Sequence, residues 1–332
     1  MKAPDRRSFL KIAGTSLGIG VLYSAYPAAL AKGEAGDMFA SLGRQSGEKV
    51  SPFSFIQISD AHVGFNGPPD PLGTKAFERA VDMINALPQR PDLVLFTGDL
   101  THDTEDKNVH AQRMNQVLEI SKRMNVSKVC YVPGEHDAGL DGGALYREHF
   151  GESHYSFDHR GVHFVALDNV SRAKPEVGTD QLEWLKKDLS RFSKSAPIVV
   201  FTHRPLFDLR PDWEWFTSDG DDVMNVLSAY DNVTVLYGHI HRDDEHEIGK
   251  VHHYAAKSLI FAFPDPNAVT GPKNPLPFDK EHPFKNLGIR SVMVNGKSAP
   301  GTQSISVNDV ELTAREFRGI NGAHQFLKNL EV

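Results

Sequence analysis

Residues 54–62 read SFIQISDAH, in which the apolar run Ser54–Ser59 is followed at once by Asp60 and His62. A short run this rich in Ile and Phe predicts a strand that is buried on both faces of a sheet. Four more runs of this kind occur along the chain, and polar residues follow each of them at once. They are Leu93–Thr97 before Gly98 and Asp99, Lys128–Val132 before Gly134, Glu135, His136 and Asp137, Ile198–Thr202 before His203, and Val233–Tyr237 before Gly238, His239 and His241.

Between these runs, apolar residues recur at helical spacing, as at Phe77, Val81 and Ile84. The alternation of strands and helices predicts an α/β fold with a partly parallel sheet. Since ligands bind at the carboxyl ends of the strands in such sheets, we expect the polar clusters to converge there. The Pro-dense segment Phe261–Lys285 predicts a long irregular loop.

The converging residues are imidazoles and carboxylates, which is the donor set of Mn, Fe and Zn sites. Cys130 is the single cysteine, so the sequence excludes an internal disulfide and a cysteine-based metal cluster. The ligands are too numerous for one ion and suit two ions that lie close together. Two such ions can hold a hydroxide between them and neutralise a phosphoryl group during its displacement.

The order of these motifs resembles that of the calcineurin-like metallophosphoesterase family, over residues 54 to about 256. The resemblance implies a four-layer αββα sandwich with a dinuclear metal centre at the carboxyl ends of the strands. It also implies that His136 faces the leaving group and that Asp137 orients the His136 imidazole. The implied ligands are Asp60, His62 and His241 for one metal, His203 and His239 for the other, and Asp99 as the bridge between them.

Glu135 stands where this family has Asn, and it adds a negative charge to the site. We hypothesise that Glu135 ligates the second metal and biases the centre toward an Fe(III)–M(II) pair, because a trivalent ion would restore the net charge of the usual site. The alternative is that Glu135 swings away and leaves the site weak. The metals themselves are expected to be Fe, Mn or Zn.

Three further residues beside the motifs have open roles. His102 is either a direct ligand or a support for one, since it lies three residues after Asp99. Arg204 and Arg242 each follow a ligand His and either reach a substrate phosphate or point away from it.

The N-terminus predicts an exported protein. Arg6 and Arg7 precede an apolar stretch that closes on Ala29-Leu30-Ala31, as in a twin-arginine signal peptide over residues 1–31. A membrane anchor is the alternative, but Pro27 and the small-residue end favour cleavage near Ala31, which leaves no stable anchor. We expect residues 32–52 to be a flexible tether and residues 53–332 to be the phosphoesterase domain.

The formal net charge is −7, and no run of Lys and Arg exists that could follow a nucleic-acid backbone. We therefore expect the twin-arginine export machinery and a small phosphorylated substrate as partners, and no nucleic acid. The sequence predicts a periplasmic hydrolase of phosphomonoesters or phosphodiesters. The alternative is a catalytically weak relative that binds metal or a phosphorylated ligand.

Overall fold

The computed structural model describes residues 50–295, 305–313, 316–318 and 324–326. The expected signal peptide and nearly all of the expected tether lie outside the described residues. No helix in this part of the chain combines the length and the apolarity that are needed to cross a bilayer.

Five strands form the first sheet, in the order β11–β10–β1–β2–β3. They are β1 (Phe53–Ile58), β2 (Leu93–Thr97), β3 (Lys128–Val132), β10 (Gly288–Val294) and β11 (Ile305–Glu311). β1, β2 and β3 are parallel, whereas β10 and β11 run antiparallel to their neighbours. Ile58 pairs with Phe96, so β1 and β2 end at the same level of the sheet.

Six strands form the second sheet, in the order β4–β5–β6–β7–β9–β8. They are β4 (Tyr155–His159), β5 (Val162–Ala166), β6 (Ile198–Phe201), β7 (Val233–Tyr237), β8 (Asp244–Ile248) and β9 (Val251–Ala255). The four central strands are parallel, and an antiparallel strand closes each edge. The short strands β12 (Glu316–Arg318) and β13 (His324–Phe326) pair with each other.

Six α-helices connect and cover the strands. They are α1 (Lys75–Ala86), α2 (Lys107–Ser121), α3 (Glu135–Ala138), α4 (Ala144–Phe150), α5 (Thr179–Leu189) and α6 (Gly220–Leu227) within the described ranges. The α2 helix begins where the side chain of Asp106 accepts the backbone N–H groups of Asn108 and Val109.

Successive side chains of a strand point to opposite faces, and this alternation builds the layers. On β1, Ile56 and Ile58 pack with Phe77 of α1 in one core, while Phe55 packs with Phe164 of the second sheet in another. A third core joins the outer face of the second sheet to α5 and α6. The predicted four-layer αββα sandwich is therefore confirmed.

The Pro-dense segment and the strand boundaries can be compared with the sequence pattern. The Pro-dense segment 261–285 contains neither helix nor strand. Two strands end one residue earlier than the apolar runs predict, since Ser59 and Thr202 fall just after β1 and β6. The ligands Asp60 and His203 therefore lie two residues past the ends of these strands.

Candidate metal centre

Seven polar side chains meet where β1, β2, β3, β6 and β7 end. They fall into two groups, and within each group the ligand atoms lie within 4.8 Å of one another. One group is Asp60, His62, Asp99 and His241, and the other is Asp99, Glu135, His203 and His239. Asp99 belongs to both groups, which is the arrangement that a carboxylate bridging two ions requires.

The backbone at these positions is strained. Among the described residues, eight that are not glycine have a positive φ, and five of the eight are candidate ligands. They are Asp60 (54°), His62 (41°), Asp99 (48°), His239 (65°) and His241 (52°). Such conformations cost on the order of 1–3 kcal/mol each and cluster at functional sites. The chain holds these side chains in place at a cost in stability.

Two glycines permit the close packing behind the ligands. A Cβ atom at Gly134 would lie 2.0 Å from Oδ1 of Asp99. A Cβ atom at Gly238 would lie 2.0 Å from Oγ of Ser59 and 2.7 Å from Oδ2 of Asp60. Any side chain at these two positions would therefore displace a candidate ligand.

Three of the histidines use one ring nitrogen to hold their orientation. Nδ1 of His203 donates to the carbonyl of Thr97 at 2.7 Å, and Nδ1 of His241 donates to that of Phe261 at 2.9 Å. Nε2 of His239 donates to the carbonyl of Glu214 at 3.1 Å. In each ring the other nitrogen faces the cluster, as in metal-binding histidines.

Several ligand atoms have no ordinary hydrogen-bond partner. Nε2 of His203 and Oε2 of Glu135 are buried without one, although they lie 2.9 Å apart. Buried polar atoms are normally satisfied, so an orphaned pair of this kind calls for an explanation. A metal ion between the imidazole and the carboxylate would satisfy both atoms, so these residues fit the metals that the donor set implies.

The electrostatics of the histidines agree with this fit. Burial lowers the pKa of His62 well below its usual value, and burial lowers the pKa of His239 to about 4. Both rings are therefore neutral, which is the form that binds metal. At His203 the charges of Asp99 and Glu135 outweigh burial and raise the pKa well above its usual value. The two carboxylates around His203 thus stabilise a positive charge at this position, which is a proton on the ring or a bound cation.

Glu135 points into the cluster rather than away from it. Its Oε1 lies 2.8 Å from Nδ1 of His239 and 3.2 Å from Nη2 of Arg204. Arg204 is held in turn by the carbonyl of Glu214, to which its Nη1 donates at 2.8 Å. Both Nη groups of Arg204 therefore contact protein atoms, and its charge offsets the extra charge of Glu135.

Arg242 lies apart from this pair. Its Nη1 is 3.5 Å from Oδ1 of Asp265, and its Nε donates to the carbonyl of Asp243. The contacts of the Arg242 side chain are therefore with that loop.

His136 is oriented by Asp103, not by Asp137. Nδ1 of His136 lies 2.5 Å from Oδ1 of Asp103. The Asp137 carboxylate instead accepts the backbone N–H groups of Leu100, Thr101 and Gly134 at 2.8–3.0 Å. The expectation that Asp137 orients the imidazole is wrong, because its oxygens are already committed to the backbone.

The sequence pattern did not identify Asp103 as a residue of the site. It is 33 residues from His136 along the chain, in the loop after β2, and no spacing rule links the two. Burial acts to lower the pKa of His136, but Asp99 and the hydrogen bond with Asp103 outweigh it and raise the pKa to about 9.

His102 lies beside the ligands without joining either group that contains Asp99. Its Nδ1 is 3.5 Å from Nδ1 of His62, and its ring stacks on that of His136 at a centroid distance of 4.8 Å. His102, His62 and His136 form a third set of close ring nitrogens. These contacts suit a residue that supports the neighbouring imidazoles.

Comparisons with known proteins agree with this geometry. The family model of calcineurin-like phosphoesterases matches residues 53–243, a span that contains all seven candidate ligands. A 3′,5′-cyclic-nucleotide phosphodiesterase of a Nostoc species is 23% identical over 221 residues, which are 64% of this chain and 80% of that protein. A probable glycerophosphodiester phosphodiesterase of Arcobacter nitrofigilis is 25% identical over 201 residues, which are 56% of this chain and 71% of that protein.

A solved structure of a dimetal phosphatase from Danio rerio has a similar fold. The two chains superimpose with a TM-score of 0.52 and 14% sequence identity, over 79% of this chain and 98% of the other. At this identity the likeness concerns the fold alone.

Proposed function

The chain belongs to the calcineurin-like phosphoesterase family, and on that premise we propose that it is a periplasmic dinuclear-metal hydrolase of small phosphomonoesters or phosphodiesters. The observation that carries this proposal is the pair of ligand groups that share Asp99. The proposed ligands are Asp60, His62 and His241 for one ion and Glu135, His203 and His239 for the other, with Asp99 between them. The metals would supply an activated water and neutralise charge on the phosphoryl group.

The protein's own residues have separate tasks in this proposal. His136, whose Nδ1 is held by Asp103, leaves Nε2 to give a proton to the leaving-group oxygen. Arg204 holds the Glu135 carboxylate toward the second ion. His102 stacks on His136 and limits its rotation.

The charge of the site bears on the metals that it would hold. The hypothesis of an Fe(III)–M(II) pair arose because Glu135 adds a negative charge. Arg204, 3.2 Å from that carboxylate, returns the positive charge that a trivalent ion would otherwise supply. We therefore propose that two divalent ions, from among Fe, Mn and Zn, suffice here.

Export is proposed on the sequence alone. The twin-arginine motif at Arg6 and Arg7 supports a route by which the folded and metal-loaded protein reaches the periplasm. Loading before export would protect the site from the tightest-binding competitors, copper and zinc, outside the cytoplasm.

One experiment tests activity and location together. The full chain is expressed with its native N-terminus, purified from the periplasmic fraction, and its metals are counted by plasma mass spectrometry. The same sample is assayed with p-nitrophenyl phosphate and bis-p-nitrophenyl phosphate. We expect about two metals per chain and turnover of at least one ester.

Two variants serve as controls in that experiment. Asp99→Asn removes the shared carboxylate and should lower both the metal content and the turnover, which excludes a contaminating phosphatase as the source of activity. Replacement of Arg6 and Arg7 by Lys should keep the protein in the cytoplasm. Wild-type protein that binds no metal and stays inactive after Mn or Fe is added would refute the proposed activity.

A further inference from the structure

Lys273 lies on the Pro-dense segment, and two hydrogen bonds pin the backbone on either side of it. Nε1 of Trp213 donates to the carbonyl of Gly271 at 2.9 Å, and the backbone N–H of Leu276 donates to that of Ala262 at 2.8 Å. Trp213 is buried, so the first of these contacts is fixed to the core. Lys273 is therefore held at a definite place although its segment has no regular structure.

That place is one aromatic ring away from the ligand histidine His241. Nζ of Lys273 lies 5.3 Å from the centroid of the Phe263 ring, and this ring lies 5.0 Å from that of His241. Phe263 is buried, so its ring is fixed in position where it makes a cation–π contact with the ammonium group. The chain thus brings a cation to the rim of the metal centre.

The ammonium group of Lys273 has no carboxylate partner within 4.0 Å in the part of the chain that the structure describes. Lys257 shows the contrast, since its buried Nζ lies 2.7 Å from Glu311 and 3.8 Å from Asp243. Burial lowers the pKa of Lys273, while the charge of Glu135 acts to raise it. A half-buried, unpaired cation in this position is costly unless an anion joins it.

We propose that Lys273 binds the phosphate of the substrate and that it selects dianionic phosphomonoesters over monoanionic phosphodiesters. This inference rests on the proposed function and names its substrate class. A phosphomonoester carries close to two negative charges at neutral pH, whereas a diester carries one. Because Coulomb energy is proportional to the product of the charges, Lys273 attracts the monoester about twice as strongly.

The test compares Lys273→Met with Lys273→Arg in the metal-loaded, full-length protein. Met keeps the length of the side chain and removes the charge, and Arg keeps the charge. Lys280→Met is the matched control, since Lys280 is an exposed lysine of the same segment. Thermal unfolding of each variant shows whether the fold is intact.

Binding is measured by calorimetry with inorganic phosphate as the dianion and dimethyl phosphate as the monoanion. We expect Lys273→Met to weaken phosphate binding about tenfold and dimethyl phosphate binding about threefold. The values of kcat/KM for p-nitrophenyl phosphate and bis-p-nitrophenyl phosphate should fall in the same proportion. Lys273→Arg and Lys280→Met should stay within about threefold of the wild type.

Equal losses for the two anions in Lys273→Met, or no loss at all, would overturn the proposal. So would a Lys273→Arg variant that behaves like Lys273→Met, because the effect would then come from packing and not from charge. Wild-type protein that binds phosphate but hydrolyses neither ester would refute the proposed function instead. The binding data would still decide the role of Lys273.

Discussion

Glu135 brings a second carboxylate close to Asp99, and Arg204 offsets the charge that it adds. Two carboxylates that are close together and shielded from water repel each other. Arg204 contacts the added carboxylate through Nη2, and its side chain is only 10% exposed. The two residues therefore form a nearly neutral pair at the edge of the second ligand group.

Metal affinity tests this pairing. Glu135→Asn removes one charge and leaves Arg204 without its partner, so we expect the second metal to bind about tenfold more weakly. Arg204→Met removes the opposite charge and should tighten the same step, and the double variant should return toward the wild type. Competition with a chelator gives the affinities, and the double-mutant cycle gives the coupling.

The turnover of Glu135→Asn shows whether Glu135 is a working ligand or a residue that disables the site. If the pair is a working adaptation, the substitution changes metal preference and does not raise kcat. A rise of several orders of magnitude would instead show that Glu135 disables the site. Additive effects of the two substitutions on affinity would show that Arg204 and Glu135 do not act together.

Asp103 and Asp137 allow another comparison at the residue scale. Asp103 is 42% exposed, and it contacts the His136 imidazole. We expect Asp103→Asn to lower kcat about 10- to 100-fold and to change the free energy of unfolding by less than about 0.5 kcal/mol. Asp103 is a positioning residue, so the pH profile of kcat should shift as well.

Asp137→Asn, in contrast to Asp103→Asn, should mainly lower the free energy of unfolding. The Asp137 side chain is buried, and it accepts three backbone N–H groups and the Thr101 hydroxyl. An amide NH₂ group would face these donors and leave some of them unsatisfied, at a cost of about 2–3 kcal/mol of stability. Urea unfolding of the two variants measures the contrast, and equal destabilisation by both would contradict it.

At the scale of the elements, six of the seven candidate ligands follow strands that are buried on both faces, and Glu135 follows the partly exposed β3. The strands give the ligands rigid anchors, and the turn into positive φ directs the side chains over the strand ends.

His163 links two strands of the second sheet to a helix, and we name this set of contacts the His163 joint. From β5 it contacts Asp158 of β4 through Nδ1 and Asp188 of α5 through Nε2, both at 2.7 Å.

The pH dependence of stability tests the His163 joint. Burial acts to lower the pKa of His163, but the two carboxylates outweigh it and raise the pKa above its usual value of 6.5. The stabilisation is therefore fully present below pH 6.5, while the carboxylates remain ionised, and is lost as the pH rises through the folded-state pKa. Urea unfolding from pH 6 to pH 9 should show this loss in the wild type.

His163→Gln is the variant for that measurement. It should be about 2 kcal/mol less stable at pH 6, since the charged hydrogen bonds to Asp158 and Asp188 are gone, and the difference should shrink at pH 9. His282→Gln, at an exposed residue of the Pro-dense segment, should follow the wild-type profile. A constant difference between wild type and His163→Gln across this range would show that His163 does not titrate.

At the scale of the whole molecule, the candidate metal centre forms because the carboxyl ends of two parallel sets of strands meet. Asp60 and Asp99 come from the first sheet, and His203 and His239 come from the second. A shared core joins Phe55 of the first sheet to Phe164 of the second and sets the distance between them. Neither sheet alone carries a complete ligand group.

The sequence by itself determined the strands and the identities of the converging side chains, while the four-layer arrangement was implied by the family resemblance. Buried strands appear as continuous apolar runs, and chain order with parallel pairing brings their ends to one edge. These properties depend on local periodicity, which a single sequence displays. The division of the ligands around a shared Asp99 was implied by the resemblance, and the two groups in the structure agree with it.

Only the tertiary structure decided which side chains pair around the ligands. Asp103 contacts the His136 imidazole in place of Asp137, and Arg204 contacts Glu135. Lys273 lies over the Phe263 ring. Each of these contacts joins loops that are distant in sequence, and no periodicity encodes the direction of a loop side chain. Their partners are set by backbone dihedral angles and by the packing of the sheets, which exist only once the chain has folded.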